Sequence, residues 1–170
     1  CPSLYDRTVT INGVSKAYAM TGWRIGYAAG PEELINAMST VQSQSTSNAC
    51  SVSQEAARAA LEGDQGVVAE MVTEYRKRHD YLVAALNDIP GFQCRPGEGT
   101  FYAFPRITAA LQQMGLSDDV ALTERLIEDG DVAVVPGSAF GAPGYIRLSF
   151  ACSMATLEEA VARIKRVVTA

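Results

Sequence analysis

The chain has 170 residues, 48% hydrophobic and 19% charged, a balance that excludes a disordered or fibrous protein and is enough to bury a core. With 14 basic against 19 acidic side chains the net charge is −5, which argues against a protein that neutralises phosphate backbones, so nucleic acid is not an expected partner. No apolar run approaches the roughly 20 residues that cross a bilayer, and no basic amphipathic segment suits a membrane surface, so no membrane partner is expected.

The chain opens on Cys1 rather than Met and carries no leader pattern, so it is expected to be a piece of a longer polypeptide. A β-branched run predicts a strand over 8–11, and a second strand is predicted over 24–29, closed by the turn pair Gly30-Pro31 with a loop between the two. Pro31 followed by Glu32 and Glu33 suits a helix start, which Leu34, Met38 and Val41 continue. The stretch 39–54 is rich in Ser, Thr, Asn and Gln without a single charge, unusual for a solvated face and suggestive of an interface. A helix over 54–62 is predicted to stop at Gly63, expected to be a left-handed cap.

Asp64 is a natural cap for the next helix. Its apolar positions Val68, Met71, Val72, Tyr75, Leu82 and Leu86 keep the 3.6 period until Pro90-Gly91. At 1.5 Å per residue that helix spans roughly 35 Å, enough to connect two lobes. Strands are predicted over 92–94, 101–105, 132–135 and 145–151, and helices over 118–129 and 157–168, the last with a capping box of Thr156 and Glu159. The mixture indicates an α/β or α+β layer architecture without internal repeats. Cys1, Cys50, Cys94 and Cys152 are scattered, form no C-x-x-C pair and have only His79 as an imidazole companion. Reduced thiols in a cytoplasm and no metal site are expected.

Chemistry concentrates between residues 7 and 31, which hold Arg7, Lys16 and Arg24 and no acid. That asymmetry calls for an anion. Lys16 is flanked by Gly13, Val14, Ser15, Ala17, Tyr18, Ala19 and Met20, whereas Lys77 and Lys165 lie in strongly charged helical contexts. Small and apolar neighbours imply a partly desolvated amine close to another cation, both of which favour the neutral nucleophile. The alternative is an ordinary loop lysine reaching for water. In 145–150, alternation puts Ile146, Leu148 and Phe150 on one face and Tyr145, Arg147 and Ser149 on the other. The planar fork of Arg147 needs a carboxylate, either a structural Asp or Glu or a substrate. Trp23 and Tyr27 read as packing and wall residues, and His79, on the apolar stripe of the long helix, as a partly buried structural histidine. Gly97-Glu98-Gly99 lacks the third glycine of a dinucleotide loop.

The run Asn12-Gly13-Val14-Ser15-Lys16-Ala17-Tyr18-Ala19-Met20-Thr21-Gly22-Trp23-Arg24-Ile25-Gly26-Tyr27 closely resembles the lysine segment of class I aminotransferases of the aspartate aminotransferase family, pyridoxal-phosphate (PLP) enzymes of fold type I. The blocks 97–105, 135–141 and 145–151 resemble later blocks of that family in the same order, so the resemblance covers essentially the whole chain. It is greatest to the bacterial subgroup acting on aspartate, some of whose members also transaminate prephenate.

The resemblance implies the C-terminal part of a fold type I transferase. Residues 1–62 would form the tail of the large, cofactor-binding domain with its Schiff-base lysine, and 63–170 a small α+β domain led by the long connecting helix. It implies that Lys16 condenses with the aldehyde of pyridoxal 5'-phosphate and then shuttles the substrate α-proton, that Arg24 binds the cofactor phosphate, and that Arg147 clamps the substrate α-carboxylate. It implies amino transfer from an L-amino acid, foremost aspartate, to a 2-oxo acid such as 2-oxoglutarate, in a homodimer whose interface lies near 39–54. One departure is Gly13, where many members carry a Ser or Thr hydroxyl for the phosphate. The family's ring-stacking aromatic residue, its Asn and Tyr near the ring oxygen and its Asp at the pyridine nitrogen come from upstream sequence, so the chain alone is expected to be a poor catalyst. Two other readings share these motifs: a fold type I enzyme catalysing elimination or decarboxylation, and an aminotransferase-like sensing domain of a regulator.

Overall fold

Thr8 donates its amide to the Tyr5 carbonyl (3.2 Å) and its hydroxyl to the Leu4 carbonyl (2.7 Å), closing a turn that delays the first strand. The strand β1 therefore runs Thr10–Gly13 rather than 8–11. Its antiparallel partner β2 is Gly26–Ala29, with Thr10 opposite Ala29 and Gly13 opposite Gly26. Arg24 and Ile25 fall outside β2 because Arg24 has a left-handed φ of 54°, incompatible with a ladder. This computed structural model describes residues 2–170, which divide into two compact units, Cys1–Glu70 and Met71–Ala170. Cys1, one of the thiols expected to be reduced, lies outside the described residues; Cys50, Cys94 and Cys152 are free thiols.

In the first unit, α1 (Glu32–Ser45) starts directly after Pro31, as expected, with Glu32 and Glu33 in its first turn complementing the dipole. None of its residues is buried, so Leu34, Met38 and Val41 lie on an open face. α2 (Ser51–Glu62) begins three residues earlier than predicted, its start tied by the Gln54 side chain to the Ala49 carbonyl (2.8 Å). Gly63 ends α2 in an extended conformation (φ −76°, ψ −175°), not the expected left-handed one. Glycine is needed there for room, since a Cβ would sit 2.7 Å from the Ala59 carbonyl oxygen. Asp64 caps as anticipated, accepting the Gly66 amide (3.0 Å) at the start of α3 (Gly66–Asn87). The unit's small core is Val14, Ile25 and Ala57, with Tyr18 and Met20 against it.

The second unit takes in most of α3, whose Leu82 and Leu86 are buried while Val72 is exposed. A three-stranded antiparallel sheet has the order β3 (Tyr102–Ala103), β5 (Ile146–Ser149), β4 (Val135–Pro136). The predicted strand over 92–94 reduces to a single bridge, Gln93 to Arg106, because the Asn87 carboxamide takes both the Cys94 amide (2.8 Å) and its carbonyl (2.9 Å) out of any ladder. α4 (Thr108–Met114), unpredicted, closes on left-handed Gly115. α5 (Asp119–Gly130) is capped by Asp118, which accepts the Ala121 amide (2.9 Å). α6 (Met154–Thr169) begins before the predicted position: Ser153, not Thr156, is the cap, accepting the Thr156 amide at 3.1 Å. Glu159 pairs instead with Arg163.

The core joins Leu82, Leu86 and Ile89 to Ile107, Leu122, Leu126, Ile146, Phe150 and Ile164. His79 is half-buried, accepts the Gly97 amide at Nε2 (3.0 Å) and meets Phe150 edge-on, the structural role anticipated for it. Among the described residues no helix is long and apolar enough to cross a membrane. Leu86 is fully buried and Val72 is 51% exposed, so their truncations should differ sharply. In chemical denaturation Leu86→Ala is expected to cost about 2–5 kcal/mol and Val72→Ala under about 0.5 kcal/mol. Equal losses would contradict this packing.

Candidate active site

The β1–β2 hairpin closes on residues 14–25, a loop fixed at both ends by buried residues, Val14 (0% exposed) and Ile25 (9%). Inside it the chain turns tightly: Tyr18 donates its amide to the Val14 carbonyl (3.3 Å), and Ala19, at a φ of 54°, donates to the Lys16 carbonyl (3.1 Å). The Tyr18 hydroxyl reaches Gln65 Oε1 (2.8 Å), and Gln65 Nε2 in turn holds the Gly63 carbonyl (2.8 Å), which pins the turn to the end of α2. Lys16 sits in this turn. It is exposed, which corrects the expectation of a partly desolvated amine. The physical reason is that Val14 is buried and Tyr18 and Met20 pack against the same small core, so the apolar residues near Lys16 in sequence do not cover it.

Arg24 closes the same loop. Its left-handed backbone lets Nη1 donate to the Thr21 carbonyl (3.2 Å), while the guanidinium remains exposed. Trp23 and Tyr27 are 44% and 41% exposed, so neither is buried in this unit's core. Gly13, the departure from the family pattern, lies opposite Gly26 and would bring a Cβ to 3.0 Å from the Ile25 carbonyl oxygen. A side chain there would need the Ile25 carbonyl to give by a few tenths of an ångström.

Arg147 belongs to the second unit. Alternation along β5 is as predicted: Ile146, Leu148 and Phe150 are buried, and Arg147 emerges half-buried on the other face. Its guanidinium carbon lies 4.2 Å from the Tyr102 ring centre and 4.3 Å from that of Phe140. Two rings thus hold the cation, and no carboxylate of the described residues forms an ion pair with it. Phe104 meets Phe140 edge-on (6.3 Å) and stacks on Tyr145 (5.2 Å).

Asp119 was not singled out by sequence reasoning. It is buried at the start of α5 and accepts the amides of Ser138 (2.7 Å) and Gly144 (3.3 Å), at the two ends of the segment that carries Phe140. The signal available was the Asp118-Asp119 pair: one acid caps the helix, which leaves the second to be explained. Tyr102 and Phe140 were given no role beside Arg147, since their meeting with it depends on strand register.

The chain matches the family model of aminotransferase class I and II over residues 3–164 and belongs to that family. Its relatives are narrower in kind. It is 52% identical over 170 residues to an aspartate/prephenate aminotransferase of Nitrosomonas europaea and 48% identical over 165 residues to an aspartate aminotransferase of Bacillus subtilis. Those matches take in 96% and 97% of the chain but 43% and 42% of the relatives. The crystal structure of the aspartate aminotransferase from Rhizobium meliloti superposes with a TM-score of 0.94 at 48% identity, over 99% of this chain and 44% of that one. The fold is thus that of fold type I transferases, and the chain spans less than half the length of these relatives.

Aminotransferases of the aspartate type depend on pyridoxal 5'-phosphate. The donor set of the 14–25 loop fits that group: a primary amine for an aldehyde, a permanent cation for a phosphate, and no carboxylate between residues 7 and 31 to repel it.

Burial alone would raise the Asp119 pKa, but the Ser138 and Gly144 amides and the Ser138 hydroxyl outweigh it and hold the carboxyl below its usual range. The stability this carboxylate contributes is therefore full above its unfolded value, about 3.9, and lost as pH falls through the lower folded one. Asp119→Asn is expected to lose about 1–3 kcal/mol at pH 7. The gap from wild type should narrow when denaturation is repeated near pH 3. A gap of the same size at both pH values would contradict the assignment.

Proposed function

We propose that the protein containing this chain transfers an amino group between L-aspartate and a 2-oxo acid such as 2-oxoglutarate, with Lys16 as its catalytic residue. Lys16 and Arg24 would hold pyridoxal 5'-phosphate, and Arg147 the substrate α-carboxylate. Residues 1–62 would serve as the tail of the cofactor-binding domain and 63–170 as the small domain. The observation that carries the reading is Arg147, a half-buried guanidinium held by two rings with its hydrogen-bonding fork unspent on any described carboxylate. Such a group suits a bidentate carboxylate ligand.

Bound pyridoxal phosphate supplies an aldehyde carbon and an electron-withdrawing ring. This chain's own residues supply one amine and two guanidinium cations. The Lys16 Nζ accepts the proton leaving the substrate α-carbon and later returns it, so one amine serves as base and acid. Arg24, charged at any working pH, balances the phosphate. Arg147 orients the amino acid by its α-carboxylate, which fixes the direction of the bond to be broken. The largely exposed, charge-free stretch 39–54 supports a homodimer interface, and the free thiols accord with a cytoplasmic protein. The name of the Nitrosomonas relative favours prephenate as a second amino acceptor.

Borohydride reduction of the full-length enzyme with pyridoxal phosphate, followed by peptide mapping, should label Lys16. Label on Lys77 or Lys165 alone would overturn the assignment. Lys16→Ala should abolish turnover, and glutamate should form from 2-oxoglutarate in step with oxaloacetate; ammonia or carbon dioxide release would point to elimination or decarboxylation instead. Arg147→Ala removes a charge-assisted contact of about 1.5–3 kcal/mol, and the KM for aspartate should rise roughly tenfold to a hundredfold. An unchanged KM would remove Arg147 from the site.

A further inference from the structure

Arg147 is held by rings, so something must hold the rings. Tyr102 belongs to the sheet itself, paired in register with Ser149. Phe140 does not. It ends a short helical turn, Gly137–Phe140, on an exposed segment between β4 and β5, and is 49% exposed. Its ring meets Phe104 edge-on as well as Arg147, and where it stands depends on the backbone of that segment.

The segment is closed by the Gly137 amide on the Tyr145 carbonyl (2.8 Å) and the Ala142 amide on the Gly137 carbonyl (3.0 Å). One side chain from outside it reaches both of its ends. The Asp119 carboxylate takes the Ser138 amide with one oxygen and the Gly144 amide with the other. Asp119 is only 1% exposed, and its neighbour Asp118 already caps α5.

We propose that Asp119 is a positioning residue for substrate carboxylate binding: by gripping Ser138 and Gly144 it sets the Phe140 ring against Arg147, and so aims the guanidinium fork. This rests on the reading of Arg147 as the carboxylate clamp. A guanidinium seated over two ring faces is limited in how its fork can turn, and its N–H donors stay available to a carboxylate. Loss of one ring lets the fork rotate, and carboxylates then bind a less ordered partner. Asp119 touches neither substrate nor cofactor in this scheme. Its effect belongs in KM and in the inhibition constant of unreactive carboxylates, not in kcat.

The test uses the full-length holoenzyme, steady-state kinetics with aspartate, and succinate as an unreactive dicarboxylate probe. Asp119→Asn and Phe140→Leu should each raise the aspartate KM and the succinate Ki about five- to twentyfold, with kcat and cofactor absorbance within about twofold of wild type. The double variant should be no more than about twofold worse than the weaker-binding single, because both changes act on one contact. Effects that multiply would overturn the path through Phe140. Phe140 is exposed enough for its leucine variant to fold, so unchanged KM and Ki in Phe140→Leu refute the proposal even if Asp119→Asn is unstable. Arg147→Lys separates the two levels. If it raises Ki while Asp119→Asn and Phe140→Leu do not, only the positioning role fails; if it leaves Ki unchanged, the clamp reading falls and this proposal with it.

Discussion

Burial of Ile146 and Leu148 in β5 and of Phe150 directly after it is the constraint on which the second unit's chemistry rests. Successive side chains on a strand point to opposite faces, so committing these three to the core leaves Arg147 no choice of side. A slip of one residue would bury the guanidinium and expose the phenyl ring, an exchange costing far more than any surface contact returns. Register is therefore set by hydrophobic burial, and the site inherits that precision. The pairings of Tyr102 with Ser149 and Val135 with Arg147 follow from the same register.

The first unit solves a similar problem with less core. Val14 and Ile25 stand at the two ends of the cationic loop and meet Ala57 of α2, so the loop is tethered at its base while its middle stays open. Between the anchors, local hydrogen bonds and the Tyr18–Gln65 contact determine the path. Two left-handed residues, Ala19 and Arg24, mark where that path bends most sharply. Strained backbone at non-glycine positions persists only where surroundings enforce it, and here the anchors on either side do so.

What was legible in the sequence is what local pattern controls. The 3.6 period announced the long helix, and its buried positions Leu82 and Leu86 were among those named. The period-two alternation placed Arg147 on the correct face of β5. Asp64 and Pro31 marked helix starts by their own hydrogen-bonding properties. Failures came where a distant or competing partner intervened. Asn87 captured the backbone of Cys94 and cancelled a strand, and Ser153 took the capping role given to Thr156 because it stood one turn earlier. Lys16 shows the same limit at the site: residues adjacent in sequence were taken as its surroundings, but Val14 turns inward and Tyr18 and Met20 pack against the core it joins. Phe140 and Asp119 were invisible for a related reason, since their partners lie seven and at least nineteen positions away and are brought close only by sheet register and helix packing.

The use of rings rather than a carboxylate to hold Arg147 has a thermodynamic logic. A structural Asp would fix the guanidinium firmly but would also neutralise it and occupy the two N–H groups that a ligand needs. An aromatic face attracts the cation by about 0.5–2 kcal/mol and leaves those donors unspent. The charge is kept available, and the side-chain entropy of a long flexible residue has already been lost before any ligand arrives. Placing the one buried carboxylate of the neighbourhood a step away, on the backbone amides that carry Phe140, separates the two tasks. Asp119 meets its charge by accepting hydrogen bonds from the main chain, so it can order the site without competing for the cation that the site presents.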